Sequence, residues 1–153
     1  MTTMRYVSVA ILALALSVPF VVGALDNSAA VKVTPLAKTS ASWDGKPTVY
    51  PAGAAEVTTL VVELAAGAQT GWHEHPVPSF AYVIEGALEV TREGGATKVL
   101  RAGETLSEVV GTLHNGRALD GKPVKLLVLY TGAAGQTLTI AHPEFVPPAA
   151  KPQ

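Results

Sequence analysis

The chain contains no cysteine among its 153 residues. Disulfide bonds and a lipid anchor on a cysteine are therefore excluded, so the core alone must stabilise the fold. Runs of lysine and arginine are also missing, and the 11 basic residues are scattered among 12 acidic ones. This charge pattern predicts no nucleic-acid partner. Neither a Gly-x-Ser-x-Gly elbow nor a phosphate-binding glycine motif occurs, which argues against those classes of enzyme.

The N-terminus has the layout of a secretory signal peptide. Arg5 precedes residues 6–24, which carry no charge and end in small side chains. We predict cleavage after Ala24, with Ala30 as a second candidate site, and a periplasmic or secreted product. The alternative is an uncleaved membrane anchor, since nearly twenty apolar residues are about enough to cross a bilayer. Pro19 and the small-residue exit favour cleavage, so membrane contact is expected only through an uncleaved leader.

Removing 24 of the 153 residues leaves 129, which is the length of one domain. Only Arg5 leaves with the leader, so 10 basic residues face 12 acidic ones and the net charge is −2. We divide the rest into an extended arm with short strands (25–55), a β-barrel (56–141) and a proline-rich tail (142–153).

Short runs with β-propensity, broken by glycine, make up most of the chain after residue 55. The runs are EVTTLVVEL (56–64), FAYVIEG (80–86), ALEVTRE (87–93), ATKVLRAG (96–103), ETLSEVV (104–110), VKLLVLY (124–130) and QTLTI (136–140). Hardly any stretch has the spacing of an amphipathic helix. The pattern predicts an all-β, antiparallel sandwich or barrel.

Two of the four histidines, His73 and His75, stand one residue apart before an apolar run. In a strand, residues i and i+2 point to the same face about 6.6 Å apart, so both imidazoles could reach one metal ion while Glu74 faces away. His114, just after the predicted strand 104–110, is the candidate third ligand. Three such ligands leave coordination positions open for water or substrate.

The stretch GAQTGWHEHPVPSFAYVIEG resembles the first cupin motif, which is glycine, five residues, His-x-His, three or four residues, glutamate, six residues and glycine. Gly67, His73, His75 and Gly86 match it in spacing. Ser79 stands where the motif has its glutamate.

The stretch GETLSEVVGTLHNGRA is similar to the second cupin motif, which is glycine, five residues, Pro-x-Gly, two residues, histidine, three residues and asparagine. Gly103, Gly111 and His114 match it. Val109 replaces the proline and Ala118 replaces the asparagine. The pair of motifs is far more specific than either one alone.

The resemblance implies a small cupin-type antiparallel jelly-roll β-barrel with a divalent transition metal held by His73, His75 and His114. Three neutral imidazoles suit Fe, Zn, Ni or Cu, whereas the loss of the carboxylate weakens the case for Mn. Glu108, six residues before His114, is the candidate additional ligand, with a solvated strand residue or a salt-bridge partner as the alternative.

A pocket for a small-molecule ligand or substrate is predicted beside this site, lined by Trp72, Phe80 and Tyr82, although aromatic residues near a barrel mouth also serve as core or rim packing. Ser79 leaves room for water or a substrate group. His142, near the tail, is interpreted as structural.

Two functions follow from the resemblance. The first is an exported metal-binding cupin that works as an oxygenase or another metal-dependent enzyme on a small organic substrate. The alternative is a non-catalytic periplasmic cupin that binds a metal or a small ligand. In either case a homodimer is expected, with the arm at residues 30–50 pairing with a neighbour's sheet edge.

Overall fold

The computed structural model describes residues 30–146. The predicted leader (1–24) and the last part of the tail (147–153) lie outside the described residues. The chain divides into a unit of residues 1–35, described only from residue 30, and a second unit that begins at residue 36. Among the described residues, no helix is long and apolar enough to span a membrane.

The second unit is built from antiparallel β-strands. In chain order the described strands are β1 (Ala55–Leu64), β2 (His73–Glu74), β3 (Ser79–Glu85), β4 (Ala87–Arg92), β5 (Thr97–Arg101), β6 (Thr105–Ser107), β7 (His114–Ala118), β8 (Val124–Ala133) and β9 (Ile140–Ala141). One sheet has the order β1-β8-β3-β6 and the other the order β5-β4-β7-β2-β9. Apart from the β4–β5 hairpin, consecutive strands thus lie in different sheets, and the all-β jelly-roll prediction is confirmed.

The core lies between the two sheets. Strand β8 shows how its residues reach it, because buried and half-buried side chains alternate along the whole strand. Its inward side chains Val124, Leu126, Val128 and Tyr130 belong to the same buried cluster as Leu88 of β4 in the opposite sheet. The period of two residues in VKLLVLY therefore places one face of β8 against the core.

The segment before β1 is less regular than the predicted arm. Its described part, residues 30–54, holds an isolated bridge between Ala41 and Pro47 and no strand of the two sheets. The Trp43 backbone N–H donates to the carbonyl of Ser107 at 3.0 Å, so this segment is bonded to the end of β6, an edge strand of the first sheet. The predicted homodimer stays a prediction.

The difference between inward and outward strand positions can be measured. Val83 on β3 is 1% exposed, whereas Val57 on β1 is 61% exposed. Val83→Ala is expected to lower the free energy of unfolding by about 2–3 kcal/mol, since two buried methyl groups are lost and a cavity remains. Val57→Ala, its matched control, is expected to change it by less than about 0.5 kcal/mol. Urea unfolding of both variants checks this, and equal losses would contradict the described placement of β3.

Candidate metal centre

The three histidines of the two motifs meet at the junction of β2 and β7. His73 and His114 are directly opposite each other in the β2–β7 pair, and His75 follows His73 by two residues. The ring centroids of His73 and His114 are 4.4 Å apart, and His75 lies 4.9 Å from each of them. One ring nitrogen of each histidine lies within 4.8 Å of the other two. Within residues 30–146, this is the one group of three such side chains that could hold a metal ion.

Backbone carbonyls determine the tautomer of each imidazole. Nδ1 of His73 is 2.8 Å from the carbonyl oxygen of Gly71, Nδ1 of His75 is 3.0 Å from that of Leu138, and Nδ1 of His114 is 2.9 Å from that of Thr112. A carbonyl oxygen can only accept, so each Nδ1 must carry the hydrogen. Each Nε2 lone pair is therefore free, which is the arrangement that orients histidine ligands in metal sites.

Burial keeps the imidazoles neutral. Desolvation, together with the neighbouring His114 and His73, lowers the pKa of His75 to about 3, against the opposing hydrogen bond to Leu138. Desolvation likewise lowers the pKa of His114 to about 4, against the opposing hydrogen bond to Thr112. The pKa of His73 is lowered by the same cause. At neutral pH the Nε2 atom of each of the three imidazoles therefore offers a lone pair, and it carries no proton that a cation would have to displace.

Glu108 lies beside this group. Its Oε2 is 3.9 Å from Nε2 of His114, which is too long for a hydrogen bond. Both atoms are buried and neither has a hydrogen-bond partner. Burial raises the pKa of Glu108 to about 8, so at pH 7 the isolated carboxyl group holds its proton. Two buried polar atoms without partners, next to two further imidazoles, are what a cation site requires, and the residues present therefore fit a divalent metal.

A cavity of about 410 Å³ opens in front of the histidines. Its described lining is mainly apolar: Val62, Leu88, Val90, Leu126, Val128, Ala141 and Pro143. The hydrogen-bonding side chains in the wall are those of Thr70, Trp72, Tyr130 and Thr139, besides the histidines and Glu108. Its described wall contains no lysine or arginine. This volume is in the usual range for a small-molecule site.

The predicted pocket residues separate into two groups. Trp72 lines the cavity, with Phe145 packed against its ring at 4.7 Å between centroids. Phe80 and Tyr82 point to the opposite face of β3, where they line a separate pocket of about 390 Å³ that shares no lining residue with the histidine cavity. The expectation that these two rings line the ligand pocket is therefore corrected. The physical reason is strand alternation, because Ser79 faces inward and its odd-numbered neighbours share that face.

Tyr130 and Thr139 belong to the cavity wall although the motifs do not contain them. The ring of Tyr130 contacts that of His75 at 5.2 Å between centroids, and Thr139 Oγ1 is 3.2 Å from Nδ1 of His75. Desolvation raises the pKa of the Tyr130 hydroxyl, against an opposing hydrogen bond to Thr139. The period of two in VKLLVLY offers a signal for Tyr130, since it shares a face with Leu126 and Val128. No comparable pattern marks Thr139.

Glu74 and His142 lie on the other side of β2. Oε1 of Glu74 is 3.5 Å from Nε2 of His142, whose Nδ1 is 2.9 Å from Glu144. The hydrogen bond to Glu144 raises the pKa of His142, and the nearby carboxylate of Glu74 adds to this shift. Glu74 therefore points away from the three histidines, as alternation along the strand predicts, and His142 is engaged with carboxylates outside the group.

Residues 60–130 match the family model described as the cupin domain. The match includes both histidine motifs and every strand from β2 to β7. This part of the chain is therefore a cupin domain. Curated protein sequences gave no match.

Solved structures that are similar to this chain include enzymes that are longer than it. A cupin-like protein of Thermotoga maritima is 17% identical, with a TM-score of 0.51 and coverage of 56% of this chain and 64% of that one. Oxalate decarboxylase of Bacillus subtilis, which has Mn(II) centres, is 19% identical, with a TM-score of 0.50 and coverage of 56% and 23%. The DMSP lyase DddQ of Ruegeria pomeroyi is 27% identical, with a TM-score of 0.49 and coverage of 56% and 42%. The aligned region thus spans less than half the length of either enzyme.

Proposed function

We propose that this protein is an exported cupin that binds a divalent transition metal through His73, His75 and His114 and acts on a small organic molecule in the adjoining cavity. The observation that carries the proposal is the shared tautomer of the three imidazoles. Each Nδ1–H is bonded to a carbonyl, which leaves three neutral Nε2 donors beside one cavity. The proposal of export relies on the apolar leader at residues 6–24.

A bound metal and the chain itself would make different contributions to the chemistry of the site. A bound divalent metal would supply Lewis-acid chemistry or, as iron, oxygen chemistry. The chain itself orients the three imidazoles through backbone carbonyls, so that little reorganisation is needed when a cation enters. The apolar side chains around the histidines lower the local polarity, which strengthens electrostatic interactions inside the cavity.

The composition of the wall restricts the ligand. Side chains such as Leu88, Leu126 and Val128 favour an apolar body, whereas the hydroxyls of Tyr130 and Thr139 offer hydrogen bonds near the histidines. Apart from the metal itself, a dianion or a phosphate ester would find no cationic group in the described wall, so the charge that the metal does not neutralise would be costly to desolvate. We therefore propose a small, mainly apolar molecule with one oxygen-bearing group that can reach the metal.

A second candidate is a cupin that binds its ligand without turnover. The observation that favours it is the lack of a dedicated acid or base: apart from the histidines and Glu108, the polar side chains in the described wall are hydroxyls and the Trp72 indole. Enzymatic function predicts turnover that depends on the metal, whereas this candidate predicts ligand binding that leaves the ligand chemically unchanged.

Metal content of the full chain, purified from its native compartment without chelators, tests the proposal. We expect close to one transition metal ion per chain by elemental analysis. The intact mass of the same sample reports whether the leader has been removed after Ala24 or Ala30. Loading the protein with Fe(II) and measuring oxygen uptake over a panel of small apolar carbonyl and hydroxyl compounds then separates turnover from binding. Failure to retain Fe, Zn, Ni, Cu or Mn under any loading condition would contradict the proposed function.

A further inference from the structure

Ser79 and Glu108 are cross-strand neighbours. The β3–β6 register pairs Phe80 with Ser107, and one step further along it Ser79 comes opposite Glu108. The Glu108 backbone N–H donates to the carbonyl of Ser79 at 2.9 Å, which continues the ladder beyond the end of β6. Side chains that are directly opposite in an antiparallel pair project from the same face. The glutamate therefore extends from the position next to the serine on the inner face.

Both side chains are buried without a hydrogen-bond partner. Ser79 is 1% exposed and Glu108 is 8% exposed, and neither Ser79 Oγ nor Glu108 Oε2 contacts a donor or an acceptor. A short side chain at position 79 leaves space on the inner face for the longer one opposite it. Burial of a carboxyl group without a partner is unfavourable, so this arrangement requires a compensating group.

The carboxyl group of Glu108 points to the cavity that the histidines share. Glu108 lines this cavity together with all three histidines, whereas Ser79 does not. Its Oε2 is 3.9 Å from His114 Nε2. Two neighbouring ligands of one ion with bonds of about 2.1 Å are about 3.0–3.4 Å apart, so a shift of roughly 0.5–1 Å would bring the two atoms to the separation of ligands on one ion.

We propose that Glu108 is the fourth protein ligand of the metal site. It would take the role of the glutamate that the first motif has at position 79, where this chain has a serine. This inference rests on the proposed function. It gives the site a hard, anionic oxygen donor beside three imidazoles, which extends the set of suitable metals to Mn(II).

Exchange of the two residues tests the proposal. We would titrate the full chain with Mn(II) and with Zn(II), follow free Mn(II) by electron paramagnetic resonance, and compare Glu108→Gln with the exchanged variant Ser79→Glu/Glu108→Ser. Glu108→Gln keeps the size of the side chain and removes its charge. Glu74→Gln is the matched control, because Glu74 lies between two of the histidines in sequence but contacts His142 on the other side of β2.

We expect Glu108→Gln to weaken Mn(II) binding by about tenfold or more and Zn(II) binding less, since Mn(II) depends more on carboxylate oxygen. The exchanged variant should recover Mn(II) binding, and Glu74→Gln should bind as the wild type does. Should the exchanged variant fail to fold, Glu108→Gln alone decides. Unchanged Mn(II) and Zn(II) affinity in Glu108→Gln would overturn this inference and leave the three-histidine site standing. A wild type that binds neither metal would overturn this inference, and it would overturn the proposed function as well if Fe, Ni and Cu also fail to bind.

Discussion

Replacement of His114 by alanine is expected to remove stoichiometric metal binding while the jelly roll remains folded. His114 is the first residue of β7 and lies opposite His73. Its replacement removes one of the three nitrogen donors and leaves only two. Loss of residues that merely support a ligand already weakens metal binding by about 10- to 100-fold, and loss of a ligand should cost at least as much. Elemental analysis and titration with Zn(II) measure the effect.

The fourth histidine supplies the matched control. His142 contacts Glu74 and Glu144 and stands outside the group, so His142→Ala should retain wild-type metal content. Because a ligand that binds only the native state stabilises it, chelation should lower the melting temperature of the wild type and of His142→Ala but not of His114→Ala. Equal metal content in His114→Ala and His142→Ala would show that the three imidazoles do not hold the ion.

The strands with strong β-propensity can be predicted from the sequence. The run EVTTLVVEL predicts a strand over 56–64 and forms Ala55–Leu64, and VKLLVLY predicts one over 124–130 and forms Val124–Ala133. Both are long and rich in β-branched or alternating apolar side chains, which favour a pleated surface. Local pattern and tertiary structure agree in these two strands.

Strand β7 cannot be predicted in this way. Its residues, HNGRA, include asparagine and glycine, which are depleted in strands. The segment is extended because it lies between two partners: Arg92 of β4 pairs with His114 on one side, and His73 of β2 pairs with it on the other. The pairing that brings two histidines together is therefore a property of the assembled sheet.

The run ETLSEVV illustrates the opposite error. Its pattern predicts a strand over 104–110, but β6 ends at Ser107 and the chain then turns at Gly111, which has a φ of +57°. Glu108 comes directly after β6, and its backbone N–H still donates to the carbonyl of Ser79. The alternative of a solvated strand residue is wrong for Glu108, because Glu108 shares the inner face with Leu106, two residues before it, and is 8% exposed.

The pocket aromatics can be assigned correctly from strand alternation. Because position 79 faces the core, alternation places Phe80 and Tyr82 on the other face. Conversely, the inner face of β8 includes Tyr130, whose neighbour across the strand pair is Ser79. Strand alternation thus predicts that Phe80 and Tyr82 do not line the cavity and that Tyr130, which lies outside both motifs, does.

Gly86→Ala is expected to destabilise the fold severely. Gly86 joins β3 in one sheet to β4 in the other, with a φ of +83°. A Cβ at this position would overlap the carbonyl oxygen of Pro123 and crowd Val124, where β8 begins. Backbone strain and the steric overlap together should cost about 3–5 kcal/mol.

Gly94→Ala separates these two contributions. Gly94 lies in the turn between β4 and β5 with a similar φ of +86°, but a Cβ there would meet no atom within 4 Å. Only the strain of a left-handed backbone remains, so the expected loss is about 1 kcal/mol. Urea unfolding of both variants gives the difference. A large difference would establish that the chain must pass close to Pro123 when it changes sheet. The position of β4, which pairs with the histidine-bearing β7, would then depend on a contact that only glycine allows. Equal losses would contradict that close approach.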